Sequence, residues 1–290
     1  MNLTETTTHT LEVPGATLAY DVRSGGGTDD PVLFLVGSPM GAAGFGTLAG
    51  HFTDRTVMTY DPRGSERSEK TDLSRATPDD HAEDLHRLIQ QLGAGPVDLF
   101  ASSGGAVNGL ALVASHPEDV RTLVAHEPPC ASVLPDREAA LAAVRAVHET
   151  YQSRGWGTGM AHFIAVANHR GPMTDEFARQ PAPDPAMFGM TAEDDGSRTD
   201  VMLGSSLLTT THYEPDFDAL RRTSPRIVIA AGEGSEGVMA SRGAYAVAEL
   251  LGTQPVIFPG DHGGFFGGEC GYTGEPDAFA AKLRQVLEEG

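Results

Sequence analysis

The sequence predicts an α/β fold, a mostly parallel sheet buried between layers of helices. Two observations lead there. Runs rich in Val, Ile, Leu and Phe recur at 31–36, 56–60, 97–101, 120–125, 226–231 and 255–258, and helical patterns separate them. The first run, Pro-Val-Leu-Phe-Leu-Val, is continuously apolar and stops at Gly37, as a strand buried on both faces should. Six buried strands are therefore the minimum, and parallel neighbours require crossovers of the kind the intervening helices supply.

In chain order, Thr77-Pro78-Asp79-Asp80 offers an N-cap, a proline at the first helical position and acidic residues in the first turn. The helix it opens runs to about Leu92, with Leu85, Leu88, Ile89 and Leu92 on one face, and Gly93 closes it. Further helices are expected at 104–115, 242–251 and 277–287. The segment 130–219 breaks the rhythm, because it holds helical stretches at 137–151 and 201–211 but no strong strand. It reads as an inserted helical cap, 130–219, on a core made of 1–129 and 220–290. Its middle, 171–197, is rich in Pro, Gly and acidic residues and is expected to be partly a mobile loop. Trp156, Met160, Phe163 and Met202, with Met187, Phe188 and Met190, either form the insertion's own small core or line an apolar pocket beneath it.

Bulk composition narrows the function. Of 290 residues, 40 are Asp or Glu and 20 are Lys or Arg, a formal net charge of −20. Such a field repels phosphate backbones and anionic lipid heads, so nucleic-acid and membrane partners are not expected and a small organic substrate fits better. Residues 1–10 lack a basic region followed by an apolar one, no apolar run approaches a membrane span, and the two cysteines, Cys130 and Cys270, have no metal-binding spacing. A cytoplasmic monomer or homodimer is the expectation.

The sharpest local signal is Val97-Asp98-Leu99-Phe100-Ala101-Ser102-Ser103-Gly104-Gly105, a buried strand entering a small-x-Ser-x-Gly turn and then a helix. This is the pattern of a nucleophile elbow, in which a strained turn presents a serine and the residues two before and two after it must be small. Ala101 and Gly105 meet that need, which makes Ser103 the nucleophile rather than Ser102.

From this point the chain resembles the α/β-hydrolase family over nearly its whole length. The family's oxyanion loop, His-Gly-x-Pro, corresponds to Val36-Gly37-Ser38-Pro39, with the histidine absent. The resemblance implies an eight-stranded sheet and oxyanion donors at the backbone N–H groups of Ser38 and Gly104. Asp61-Pro62-Arg63-Gly64 looks like the family's Asp-x-Arg-Gly turn, whose usual role is structural. Val256-Ile257-Phe258-Pro259-Gly260-Asp261-His262 resembles the segment carrying the family's histidine, so His262 would take the Ser103 proton. Where most members place an Asp after the seventh strand, this chain has Ser235, which cannot stabilise an imidazolium by charge. The variant with the acid after the sixth strand points to Glu127 in His126-Glu127-Pro128-Pro129, with Glu236, then Glu233 and Asp261, as alternatives.

The Ser102-Ser103-Gly104 elbow, followed 24 residues later by His-Glu-x-Pro, is also locally similar to the zearalenone lactonases. The implied activity is hydrolysis of an ester or lactone through an acyl-enzyme, requiring no metal or organic cofactor. The rival from another class is a slow or non-catalytic small-molecule-binding protein on the same fold, and perhydrolase or C–C hydrolase variants share the constellation.

Overall fold

The computed structural model describes residues 5–27, 30–71 and 76–289; the first four residues of the polar N-terminal stretch lie outside them. The strands are β1 (Thr6–Val13), β2 (Ala16–Arg23), β3 (Leu33–Val36), β4 (Val57–Tyr60), β5 (Glu69–Lys70), β6 (Val97–Ser102), β7 (Val120–His126), β8 (Arg226–Gly232) and β9 (Val256–Phe258). Eight of them follow one path, β1-β2-β4-β3-β6-β7-β8-β9, and the two-residue β5 adds to β2 as a ninth strand. The strands β1, β2 and β5 pair antiparallel, as β2 does with β4, whereas every pair from β4 to β9 along the path is parallel.

The continuous apolar runs of β3, β4 and β6 form the middle of the parallel part because both faces are buried there, whereas β9, expected to be buried likewise, lies at the edge of the sheet with Ile257 exposed. On β3, Phe34 and Val36 enter one apolar cluster and Leu33 and Leu35 the other; on β6, Leu99 and Ala101 oppose Phe100 in the same way. Each such Leu or Phe withdrawn from water contributes roughly 1.5–3 kcal/mol before entropy is subtracted. The helix Pro78–Leu92 covers one face and starts at a full capping box: Thr77 accepts from the Asp80 N–H and Asp80 accepts from the Thr77 N–H, while Gly93 ends it at φ 65°. Helices Gly104–Ser115 and Met239–Leu250 pack on that side, and Pro276–Glu288 packs on the other.

Between β7 and β8 the described residues form helices and turns only. Their longest element, Arg137–Ala167, extends well past the expected 137–151 and changes direction at Gly155, where φ is 82°. Beyond that break, close approach keeps the helix small: a Cβ on Gly157 would fall 1.9 Å from the Thr191 carbonyl oxygen, and one on Gly159 would fall 2.7 Å from the Tyr151 Cβ. A third apolar cluster, containing Val144, Val147, Tyr151, Leu203 and Leu207, lies almost wholly within this segment. The segment 171–197, expected to be loop, includes the short helical turns Asp175–Ala178 and Pro185–Phe188, each begun by a side-chain cap from Thr174 or Asp184.

Candidate active site

The C-terminal ends of β6, β7 and β9 bring three residues together, at the edge where ligands bind in open α/β sheets. Register sets this: Ser102 on β6 pairs with His126 on β7, and His126 pairs with Ala230 on β8. Ser103 and Glu127 are therefore the next residues out on adjacent strands. Both leave the sheet with left-handed backbones, φ 57° and φ 50°, and they are two of only four non-glycine residues with positive φ among the described residues. Conformations of this kind cost about 1–3 kcal/mol each and persist where packing enforces them, often at functional sites. The enforcing bonds here are Ser103 N–H to the His126 carbonyl and Glu127 N–H to the Ala230 carbonyl, both 2.9 Å.

Tight packing explains the small residues of the elbow. An added Cβ on Gly105 would stand 2.4 Å from the Val36 carbonyl oxygen, and one on Gly104 2.5 Å from that of Ser38. The loop after β3 thus lies directly against the start of the helix Gly104–Ser115. Gly104 is the first residue of that helix, so its N–H has no intrahelical acceptor.

His262 follows β9 and donates from Nδ1 to Glu127 Oε2 at 2.6 Å, while Glu127 Oε1 accepts the Gly232 N–H at 2.9 Å. Glu127 is fully buried. Burial, the largest single influence, pushes its carboxyl up, but the His262 hydrogen bond, the neighbouring imidazoles and the Gly232 N–H outweigh it, holding the group below the usual carboxylate range. Of the other acids considered, Glu236 and Glu233 are exposed. Asp261 accepts from the Gly263 N–H at 2.9 Å and from the Tyr272 hydroxyl, so it shapes the loop that carries His262. Ser235, at the usual position of the family's acid, is buried.

Ser103, His262, Ser38 and Gly104 line one cavity of about 350 Å³. The insertion supplies much of its wall through Phe163, Ile164, Met202 and Leu207. The two expectations for the insertion's large apolar residues divide accordingly. Phe163 and Met202 face the cavity while also packing on the insertion's core, Met160 packs on that core, and Trp156, Met187 and Phe188 are largely exposed. Asn168 and Arg170 at the cavity, not anticipated from sequence, carry no local motif that could have revealed them.

His126 sits behind the elbow, with its Nδ1 3.1 Å from Ser102 Oγ and its ring among Phe100, Phe258, Phe265 and Phe279. Burial drops its pKa to about 4, so it is neutral and structural at ordinary pH. Asp61 accepts from the Ala42 N–H at 2.7 Å and from Arg67, and Arg63 grips buried Asp84, so the turn after β4 is held by its own charges.

Two comparisons bear on descent. The family model described as alpha/beta hydrolase fold matches residues 30–155. Over 294 residues, 97% of this chain and 96% of the relative, the sequence is 31% identical to an uncharacterized hydrolase, YraK, of Bacillus subtilis strain 168. The chain belongs to the α/β-hydrolase family. Among solved structures, it resembles an enol-lactonase from Burkholderia xenovorans LB400 (TM-score 0.66, 18% identity, 97% of this chain and all of that one). It also resembles a thermophilic esterase from Thermogutta terrifontis (TM-score 0.66, 19% identity, 98% of each chain). At these identities the likeness to solved structures is one of fold.

Among the described residues of this α/β-hydrolase, one group has the composition and spacing to hold a metal ion: His86, His116 and Asp119, whose donor atoms lie within 4.8 Å of one another. None of the three lines the cavity, and His86 is already bonded to Asp119 at 2.6 Å. No helix among the described residues is long and apolar enough to cross a membrane.

Proposed function

We infer that the protein is a serine hydrolase of carboxylic esters or lactones, with Ser103 as nucleophile, His262 as general base and Glu127 as the acid that orients it. The observation that carries this is the 2.6 Å bond from His262 Nδ1 to the buried, ionised Glu127, at a cavity that Ser103 also lines. With its Nδ1 proton committed to Glu127, the imidazole presents Nε2 as the basic atom. In the reaction, Ser103 Oγ attacks the acyl carbon and its proton passes to His262 Nε2. The N–H groups of Ser38 and Gly104 stabilise the oxyanion, and His262 protonates the leaving alkoxide as the acyl-enzyme forms. Water, deprotonated by the same imidazole, attacks the acyl carbon and releases the acid and Ser103. Every step uses groups of this chain and water, so the chemistry needs no cofactor. The segment 130–219 acts as the cap, and its apolar wall fits the hydrocarbon part of a small, largely apolar substrate.

One observation favours the rival reading of a slow or non-catalytic binding protein: Ser103 Oγ makes no hydrogen bond with His262 among the described residues. That bond often tightens only when substrate is bound, and a buried carboxylate on His262 Nδ1 is the arrangement a general base requires. Trapping the intermediate separates the two. Mixing with an activated ester and quenching within the first turnover is expected to leave an acyl adduct on the Ser103 peptide by mass spectrometry, absent in Ser103→Ala. An unmodified peptide during measurable turnover contradicts the acyl-enzyme route.

A further inference from the structure

The cavity's lining includes one permanent positive charge, on an exposed arginine that forms no ion pair among the described residues. Arg170 lies just beyond the end of the helix Arg137–Ala167 and lines the cavity with Ser103 and His262. Its guanidinium donates to two backbone carbonyls, from Nη2 to Gly234 at 2.9 Å and from Nη1 to Glu236. These bonds fix the group in place and leave Nε and further N–H donors without a partner among the described residues. Among the described residues no carboxylate pairs with it, in a protein that carries twice as many acidic as basic side chains. Asn168, two residues earlier, lines the same cavity and adds an amide without a hydrogen-bond partner among the described residues.

Asp261, the acid in the cavity lining, is engaged by the Gly263 N–H and the Tyr272 hydroxyl and forms no ion pair with Arg170 among the described residues. Phe163, Met202, Leu207 and Val238 give the same cavity hydrocarbon walls. The net charge of −20 disfavours anions at long range, but screening over roughly 8 Å at physiological ionic strength leaves the local guanidinium to decide at contact.

We propose that the cavity takes esters or lactones bearing a second, free carboxylate, joined to the scissile acyl group by an apolar spacer, with Arg170 holding that carboxylate. This rests on the serine-hydrolase reading above for the bond that is cut, and on Arg170 for the class of substrate. The recognition is ionic and hydrogen-bonded, the pairing at which a fixed guanidinium excels.

The test compares ethyl hydrogen esters of succinic to suberic acid with the ethyl esters of monoacids of equal length, following released acid in a pH-stat. The wild type is expected to favour the charged ester at its best length at least tenfold in kcat/KM. Arg170→Gln is expected to lower that ratio by roughly ten- to hundredfold, mainly through KM, the range for a lost charge-assisted hydrogen bond. A ratio unchanged within twofold in Arg170→Gln, or a wild type that favours the neutral ester at every length, overturns the proposal, even if both esters are cleaved through Ser103. Binding of the free dicarboxylates by calorimetry supplies the independent arm. Dianion binding that Arg170→Gln removes supports the proposal even if no ester is turned over, in which case the hydrolase reading alone has failed. Binding that survives in Arg170→Gln counts against Arg170.

Discussion

Replacing Glu127 by Gln changes one oxygen to an amide nitrogen, and the structure dictates which. Glu127 Oε1 accepts the buried Gly232 N–H and Oε2 accepts the His262 Nδ1–H. In Glu127→Gln the remaining oxygen must face Gly232, since the flipped amide would point a donor at a donor in a buried site, costing about 1–3 kcal/mol. The amide NH2 then faces His262 Nδ1 as a donor. It drives the imidazole proton to Nε2 and removes the lone pair that should receive the Ser103 proton. Tautomer inversion at a triad of this kind lowers kcat by about 10⁴-fold in serine proteases, close to 5.5 kcal/mol of transition-state stabilisation. Measured as kcat with 4-nitrophenyl butyrate, a loss of about 10³- to 10⁴-fold is expected, with folding checked by circular dichroism. Glu236→Gln, altering an exposed side chain outside the cavity, is expected to stay within about twofold, as surface changes usually do. A folded Glu127→Gln enzyme retaining more than a tenth of wild-type kcat would rule out Glu127 as the residue that orients His262.

Three further outcomes follow from the same geometry. Gly104→Ala places a Cβ 2.5 Å from the Ser38 carbonyl oxygen, so it is expected to shift the loop after β3 that carries Ser38, lower kcat by about 10²-fold if Ser38 and Gly104 are the proposed oxyanion donors, and cost about 1–3 kcal/mol in a urea melt; near-wild-type values in both would contradict that packing. Burial holds His126 and His81 neutral, each with a pKa of about 4 against an ordinary 6.5, so the unfolded chain binds protons that the folded one does not. Stability is therefore fully present above about pH 6.5 and is lost as pH falls towards 4, by about 1 kcal/mol per histidine between pH 7.5 and 5.5; His126→Phe should flatten that slope, and an unchanged slope in equilibrium unfolding would count against it. Cys130 is buried, with its thiol pushed up to about 12, while Cys270 is exposed. Iodoacetamide should modify Cys270 alone in the native protein and both cysteines in urea.

The parallel strands were legible in the sequence because burial on both faces leaves an uninterrupted apolar run, as in 31–36 and 97–101. The hairpin β1–β2 was not, since β1 is mostly exposed along Thr6–Leu11 and presents Thr and His where a buried strand presents Val and Leu. The long helix ran past its expected end because Gly155, Gly157 and Gly159 look like breakers in sequence, whereas in space only Gly155 breaks it. The other two allow close contact with Thr191 and Tyr151. Chain order and strand ends could nominate Ser103, Glu127 and His262, since each follows a strand of the parallel sheet. The cavity's far wall could not be nominated: Phe163, Arg170 and Met202 converge only through the path of the insertion.

Whether Ser103 is an activated nucleophile is tested by labelling with a fluorophosphonate, which reacts with a serine made nucleophilic by its surroundings. One modified peptide, carrying Ser103, is expected, with labelling lost in His262→Ala as well as in Ser103→Ala. Labelling elsewhere, labelling that persists without His262, or a folded wild type that stays unlabelled would contradict that expectation.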